Sequence, residues 1–126
     1  MIKTILFYFG FLAITSCGAG TGTNSNIPLT VVSITPSNNS KILLNQSFNI
    51  TFSANLNKSA INNVELINVT SGTQQPIVCT LPTSNSLSCT PNVAMVANST
   101  YNLILLPSIQ DINNNPLTTQ TYIYTT

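Results

Sequence analysis

Ile77-Val78-Cys79-Thr80-Leu81, Pro82-Thr83-Ser84-Asn85 and Ser86-Leu87-Ser88-Cys89-Thr90 follow one another without a break, and their reading decides the fold. Two β-rich runs flank a cluster of turn formers, which is the pattern of an antiparallel hairpin. Centring the turn on Ser84 sets Cys79 opposite Cys89 and Leu81 opposite Leu87, all on one face because side chains alternate along a strand. Opposed Cβ atoms lie about 4.5–5.5 Å apart, wide of the ~3.8 Å a disulfide prefers but within reach of local twist. The register therefore admits a Cys79–Cys89 bridge, and it equally admits two reduced cysteines packed as small apolar residues.

The flanking sequence continues in short extended runs. Leu29 to Thr35 stops at Pro36-Ser37-Asn38-Asn39-Ser40, Ile42 to Leu44 forms a second short run, and Phe48-Asn49-Ile50-Thr51-Phe52 alternates with period two. Val64-Glu65-Leu66 opens a run that ends at Ser71-Gly72. Tyr101, Leu103 and Leu105 mark one face of another, and Thr118 to Tyr124 forms the last, after a turn from Asp111 to Pro116. No stretch carries a sustained helical period. About seven short strands in about 100 residues predict an all-β chain folded as a two-sheet sandwich.

The first residues read differently. Lys3 supplies a positive start, Ile5 to Ile14 an apolar run, and Thr15-Ser16 small residues ahead of Cys17-Gly18-Ala19-Gly20. The run is too short for a transmembrane helix, which needs about 20 apolar residues. Residues 1–18 resemble a bacterial lipoprotein export signal, with Ile14-Thr15-Ser16-Cys17 at the position of its processing motif. The resemblance implies cleavage after residue 16, a diacylglyceryl thioether on Cys17 and acylation of the new amino group. An ordinary secretory signal cut after Gly20, at Gly18-Ala19-Gly20, is the alternative. Residues 17–27, small and polar, read as a flexible tether, and residues 28–126 as the folded domain. Gly18 stands where an Asp would resemble an inner-membrane retention signal, which favours the outer membrane in a host that has one.

Export bears on the cysteines. Lipidation of Cys17 would take one of three and leave Cys79 and Cys89 as a pair in an oxidising compartment, where a disulfide persists. Charge bears on partners. Beyond Lys3 only Lys41, Lys58, Glu65 and Asp111 are charged, so no basic patch exists to neutralise phosphates, and nucleic acid is excluded as a partner. Solubility rests on amides and hydroxyls. The Asn-x-Ser/Thr triplets starting at Asn38, Asn45, Asn49, Asn57, Asn68 and Asn98 read as products of that composition.

From residue 28 onward the chain resembles the bacterial Ig-like domains of the S-layer-protein (SbsA) type. The resemblance rests on Val32-Ser33-Ile34-Thr35-Pro36 as the opening, Phe48 to Ser53 as a strand ending in Phe-Ser, and Thr100 to Leu105 as a Tyr-led strand. It continues through Ile109-Gln110-Asp111 with Asn115-Pro116-Leu117, and the ending Tyr124-Thr125-Thr126. Asn38-Asn39 replace the usual Gly after the opening Pro, and Asn114 stands where Gly is common in the Asp turn. Asn tolerates the left-handed region, so these departures conserve the backbone. The resemblance implies an Ig-like sandwich acting as a structural or interaction module.

Candidate chemistry is sparse. The chain has no His, and its two carboxylates, Glu65 and Asp111, sit on separate elements, so neither acid–base nor serine-nucleophile catalysis has its groups. No enzyme activity, cofactor or zinc site is expected. Asp111, Asn113 and Asn115 alternate like the start of a calcium loop, but the sixth position is Pro116 and the twelfth Tyr122. Asp111 is therefore read as a turn-stabilising acceptor. Tyr122 and Tyr124 share a strand face and could stack on a sugar if exposed together; Tyr101 reads as a core residue whose hydroxyl ties down a neighbouring connection. The expected partners are a membrane, through the N-terminal lipid, and a protein of the envelope, with a carbohydrate- or ligand-binding domain as the alternative.

Overall fold

The computed structural model describes residues 26–126; the export signal, Cys17 and the stretch up to residue 25 lie outside the described residues. Among the described residues nine strands follow one another: β1 (Val31–Thr35), β2 (Ser40–Lys41), β3 (Phe48–Phe52), β4 (Val64–Asn68), β5 (Thr73–Gln75), β6 (Ile77–Thr83), β7 (Ser86–Pro91), β8 (Thr100–Leu105) and β9 (Gln120–Thr125). One sheet has the order β1-β3-β7-β6 and the other β2-β9-β8-β4-β5. All pairings are antiparallel except β2 with β9.

Period-two alternation assigns the faces. Phe48, Ile50 and Phe52 of β3, Leu87 and Cys89 of β7, and Tyr101, Leu103 and Leu105 of β8 all turn inward and are buried. The layers meet where the Phe48 ring lies 5.0 Å from that of Tyr124, tilted by 52°. Fully burying each such side chain contributes about 1.5–3 kcal/mol, so this seam between the sheets holds the fold together.

The structure corrects two local expectations and adds a strand that the sequence did not signal. The central hairpin pairs Cys79 with Cys89 and Thr80 with Ser88, but then shifts to Thr83 with Ser86. Leu81 and Pro82 together span the position opposite Leu87, leaving Ser84-Asn85 as a tight turn instead of the four-residue one. Proline has no N–H to donate to a ladder, and a bulge accommodates it. The second short strand is Ser40–Lys41, not Ile42 to Leu44. Ile42 still donates its N–H to the Thr125 carbonyl (2.8 Å) and is buried, while Leu43 and Leu44 turn outward, with the Gln46 N–H reaching back to the Leu43 carbonyl. The added strand is β5, whose Thr73-Gln74-Gln75 has no apolar signal and is held as a strand by pairing with β4.

The sandwich has two ends of different make-up. At one lie the chain's entry at Ile27-Pro28, the 3-10 turn Lys58–Asn62, the Ser84-Asn85 turn and the Asp111 loop. Asn57 donates to the Gln110 carbonyl, Leu56 to that of Ser84 and Ile112 to that of Asn55. At the other lie the β2–β3 and β7–β8 connections, joined by the Met95 N–H bonding the Leu44 carbonyl at 2.7 Å.

Candidate functional site

Tyr101 anchors the far end. It sits on β8, fully buried, and its hydroxyl accepts from the Val96 backbone N–H at 2.8 Å and from Asn68 Nδ2 at 3.1 Å. The sequence-based reading of Tyr101 as a tie on a neighbouring connection is correct, since Val96 belongs to the segment leading into β8. Asn68 is a second member of the knot that composition did not reveal. Its Oδ1 accepts from the Ser71 N–H (3.1 Å), closing the turn into β5, while its amide reaches Tyr101. An Asn three residues ahead of Ser71-Gly72 is an Asx-turn signal that could have found it.

Asp111 organises the opposite end. Oδ1 accepts from the N–H groups of Asn113 (2.8 Å) and Asn115 (2.9 Å), and Oδ2 from the Asn115 side-chain amide (2.8 Å). The side chain is 3 % exposed. Burial alone would raise its pKa, but the bonds from the Asn115 side chain and from the Asn115 and Asn113 backbones outweigh it and hold the carboxyl below its ordinary value. Asn114 completes the turn at φ 66°, the left-handed region in which Asn stands in for Gly; Asn39 does the same at φ 67°. Asp111 is thus a turn-stabilising acceptor, as its sequence context predicted. A cleft of about 250 Å³ borders this turn, walled by Ile27, Pro28, Ser53 and Ala54. Among the described residues no group of three His, Cys, Asp or Glu side chains comes together to hold a metal.

Cys79 and Cys89 form a disulfide across β6 and β7, with Cα atoms 4.0 Å apart, and both are buried. The expected pairing holds and the reduced alternative does not. β6 is an edge strand, so the bridge ties it to its neighbour where no second strand does.

The sugar-stacking platform is not built. Tyr124 is fully buried against Phe48, and its hydroxyl donates to the Pro36 carbonyl at 2.8 Å; Tyr122 is half-buried beside the core. Burial, with Tyr122 adding to it, pushes ionisation of the Tyr124 hydroxyl far up, so the group stays a neutral donor. The two rings share a face, but that face is the inner one. What the described surface offers is hydrogen bonding and aliphatic contact.

An all-β sandwich whose central strand begins with a buried tyrosine tied to the connection before it has the arrangement of an Ig-like domain. The chain belongs to the family described as "Bacterial Ig-like domain", whose profile matches residues 25–126. No curated protein sequence matches it. Among solved structures it is similar to the N-terminal part of the bacterial S-layer protein SbsC, at 18 % identity and TM-score 0.59, covering 79 % of this chain and 23 % of that one. It is similar to CopC from Methylosinus trichosporium OB3b, at 10 % identity and TM-score 0.63, covering 77 % and 91 %. An L,D-transpeptidase from Mycobacterium smegmatis matches at 14 % identity and TM-score 0.55, covering 78 % and 39 %. At these identities the likeness is one of fold. The chain spans under a quarter of the SbsC fragment and a minority of the transpeptidase.

Proposed function

We propose that this chain is a lipoprotein of the bacterial cell envelope, anchored through lipid on Cys17, whose single Ig-like domain is a non-enzymatic structural or protein-interaction module. The observation that carries the reading is the family match over 25–126, joined to the structural roles of the side chains that could do chemistry. Asp111 is saturated by its own turn, Tyr101 and Tyr124 are buried in structural bonds, and Cys79 and Cys89 are bridged. The Ile14-Thr15-Ser16-Cys17 motif supports the anchor, and similarity to an S-layer protein supports an envelope or surface location, with the outer membrane favoured where one exists. Recognition would use loops or a sheet edge, the parts of a sandwich free to meet a partner.

Metabolic labelling with a fatty-acid analogue tests the anchor. Wild type should take up label and fractionate with membranes, while Cys17→Ser should take up none and be released or remain uncleaved. Equal labelling of the two would overturn the proposal.

A further inference from the structure

The sandwich carries exposed aliphatic side chains at both ends, and the point where the chain enters it, at Ile27-Pro28, separates their roles. At the entry end Ile27 is 67 % and Ile112 61 % exposed, and Ile61 lies on the 3-10 turn at the same end. Ile27 walls the same cleft as Asp111 and Asn113, and the Ile112 N–H bonds the Asn55 carbonyl, so these residues occupy one surface. Lys58 is exposed there, Asp111 is buried and bonded inward, and Glu65, half-buried, lies just beyond the 3-10 turn on β4. At the far end Leu43, Val93 and Val96 are as exposed and Lys41 is exposed too, so neither apolarity nor charge alone distinguishes the two ends.

We infer that the entry end, with Ile27, Ile112, Ile61 and Lys58, rests on the bilayer that holds the lipid anchor. This rests on the anchoring proposed above. Only nine residues separate Cys17 from Ile27, a span of at most about 36 Å however they run, so an anchor at Cys17 keeps this surface within a domain's length of the headgroups. Tethering over so short a span gives an effective concentration of order millimolar, at which weak contacts become populated. Isoleucines that enter the headgroup boundary lose water, and the exposed Lys58 meets anionic lipid phosphates favourably. The far end, separated by strands of about 20 Å plus their loops, then faces away and is left to other partners.

The test uses the full lipidated chain reconstituted in vesicles containing phosphatidylglycerol. A single cysteine placed by Ile112→Cys, or by Leu43→Cys at the far end, takes an environment-sensitive fluorophore, because acylation and the disulfide leave no other thiol to react. A quencher carried on lipid acyl chains should quench the label at 112 roughly twofold or more over that at 43, with a blue shift, as expected for a side chain at the headgroup boundary. Ile61→Cys reads the same surface should Ile112→Cys fold poorly. Protein that floats with vesicles but shows equal, unquenched labels overturns this inference and leaves anchoring intact. Protein that does not float overturns both.

Discussion

Asp111 shows how much one side chain settles in a domain with so few charges. Its carboxylate replaces the backbone partners that the Asn113 and Asn115 N–H groups lack in a tight turn, and the Asn115 amide takes its second oxygen. Asp111→Ala should destabilise the fold by about 1–3 kcal/mol in urea denaturation, the cost of losing part-buried hydrogen bonds to a charged acceptor. Because the folded pKa is depressed, the stabilisation is present above the unfolded value and lost as pH falls through the folded one. Wild type should therefore lose stability on acidification below about pH 4, and Asp111→Asn should lose less over the same range. An identical acid profile in the two proteins would refute this role. The asparagines tell a similar story. Asn39 and Asn114 at positive φ were readable from their alignment with glycine positions in the resembled family, and Asn68 had an Asx-turn signal, but its bond to Tyr101 across 33 residues was not readable.

At the scale of elements, β6 depends most on a link that is not hydrophobic. It is an edge strand, its outer positions Val78, Thr80 and Pro82 are exposed, and its ladder to β7 is interrupted by the Leu81-Pro82 bulge. The Cys79–Cys89 bridge closes a short loop, at a separation of 10 residues, across that weakened pair. Replacing both cysteines with alanine should cost roughly 2–3 kcal/mol, read as a lower urea midpoint. Protein exported to an oxidising compartment should show the two thiols joined in non-reducing mass spectrometry, and free thiols that alkylate after unfolding without reductant would contradict the structure. The opposite edge is guarded differently. On β1, Val31 pairs with Phe52 and Ser33 with Thr51, so Val32 is an unmatched bulge residue, and such a bulge discourages further strand addition.

Across the described domain, the arrangement is that of an Ig-like module whose buried polar groups Asp111, Asn68, Tyr101 and Tyr124 bond to its own turns and connections. A ligand that binds only the folded state raises stability by RT ln(1 + [L]/Kd), so metal dependence would be visible in melting. Thermal melts with EDTA and with added Ca²⁺ should overlay. A calcium-dependent rise in Tm abolished by Asp111→Ala would revive the loop from Asp111 to Asn115 as a metal site.

Local chemistry already carried the architecture. Alternation in Phe48–Phe52 and Thr100–Leu105, turn formers around Ser84, and the cysteine register imply two sheets with Phe48, Tyr101 and Leu103 inside, because strand period and burial are properties of neighbouring residues. The strand made from Ser40–Lys41, the polar strand β5, the bulge opposite Leu87 and the burial of Tyr124 were different. Each depends on what packs or pairs from a distant part of the chain: β9, β4, β7 and Phe48 respectively. A tyrosine on an alternating strand looks the same from either side until the second sheet closes over one of them. Which face that sheet covers is a matter of long-range contact, and no local pattern encodes it.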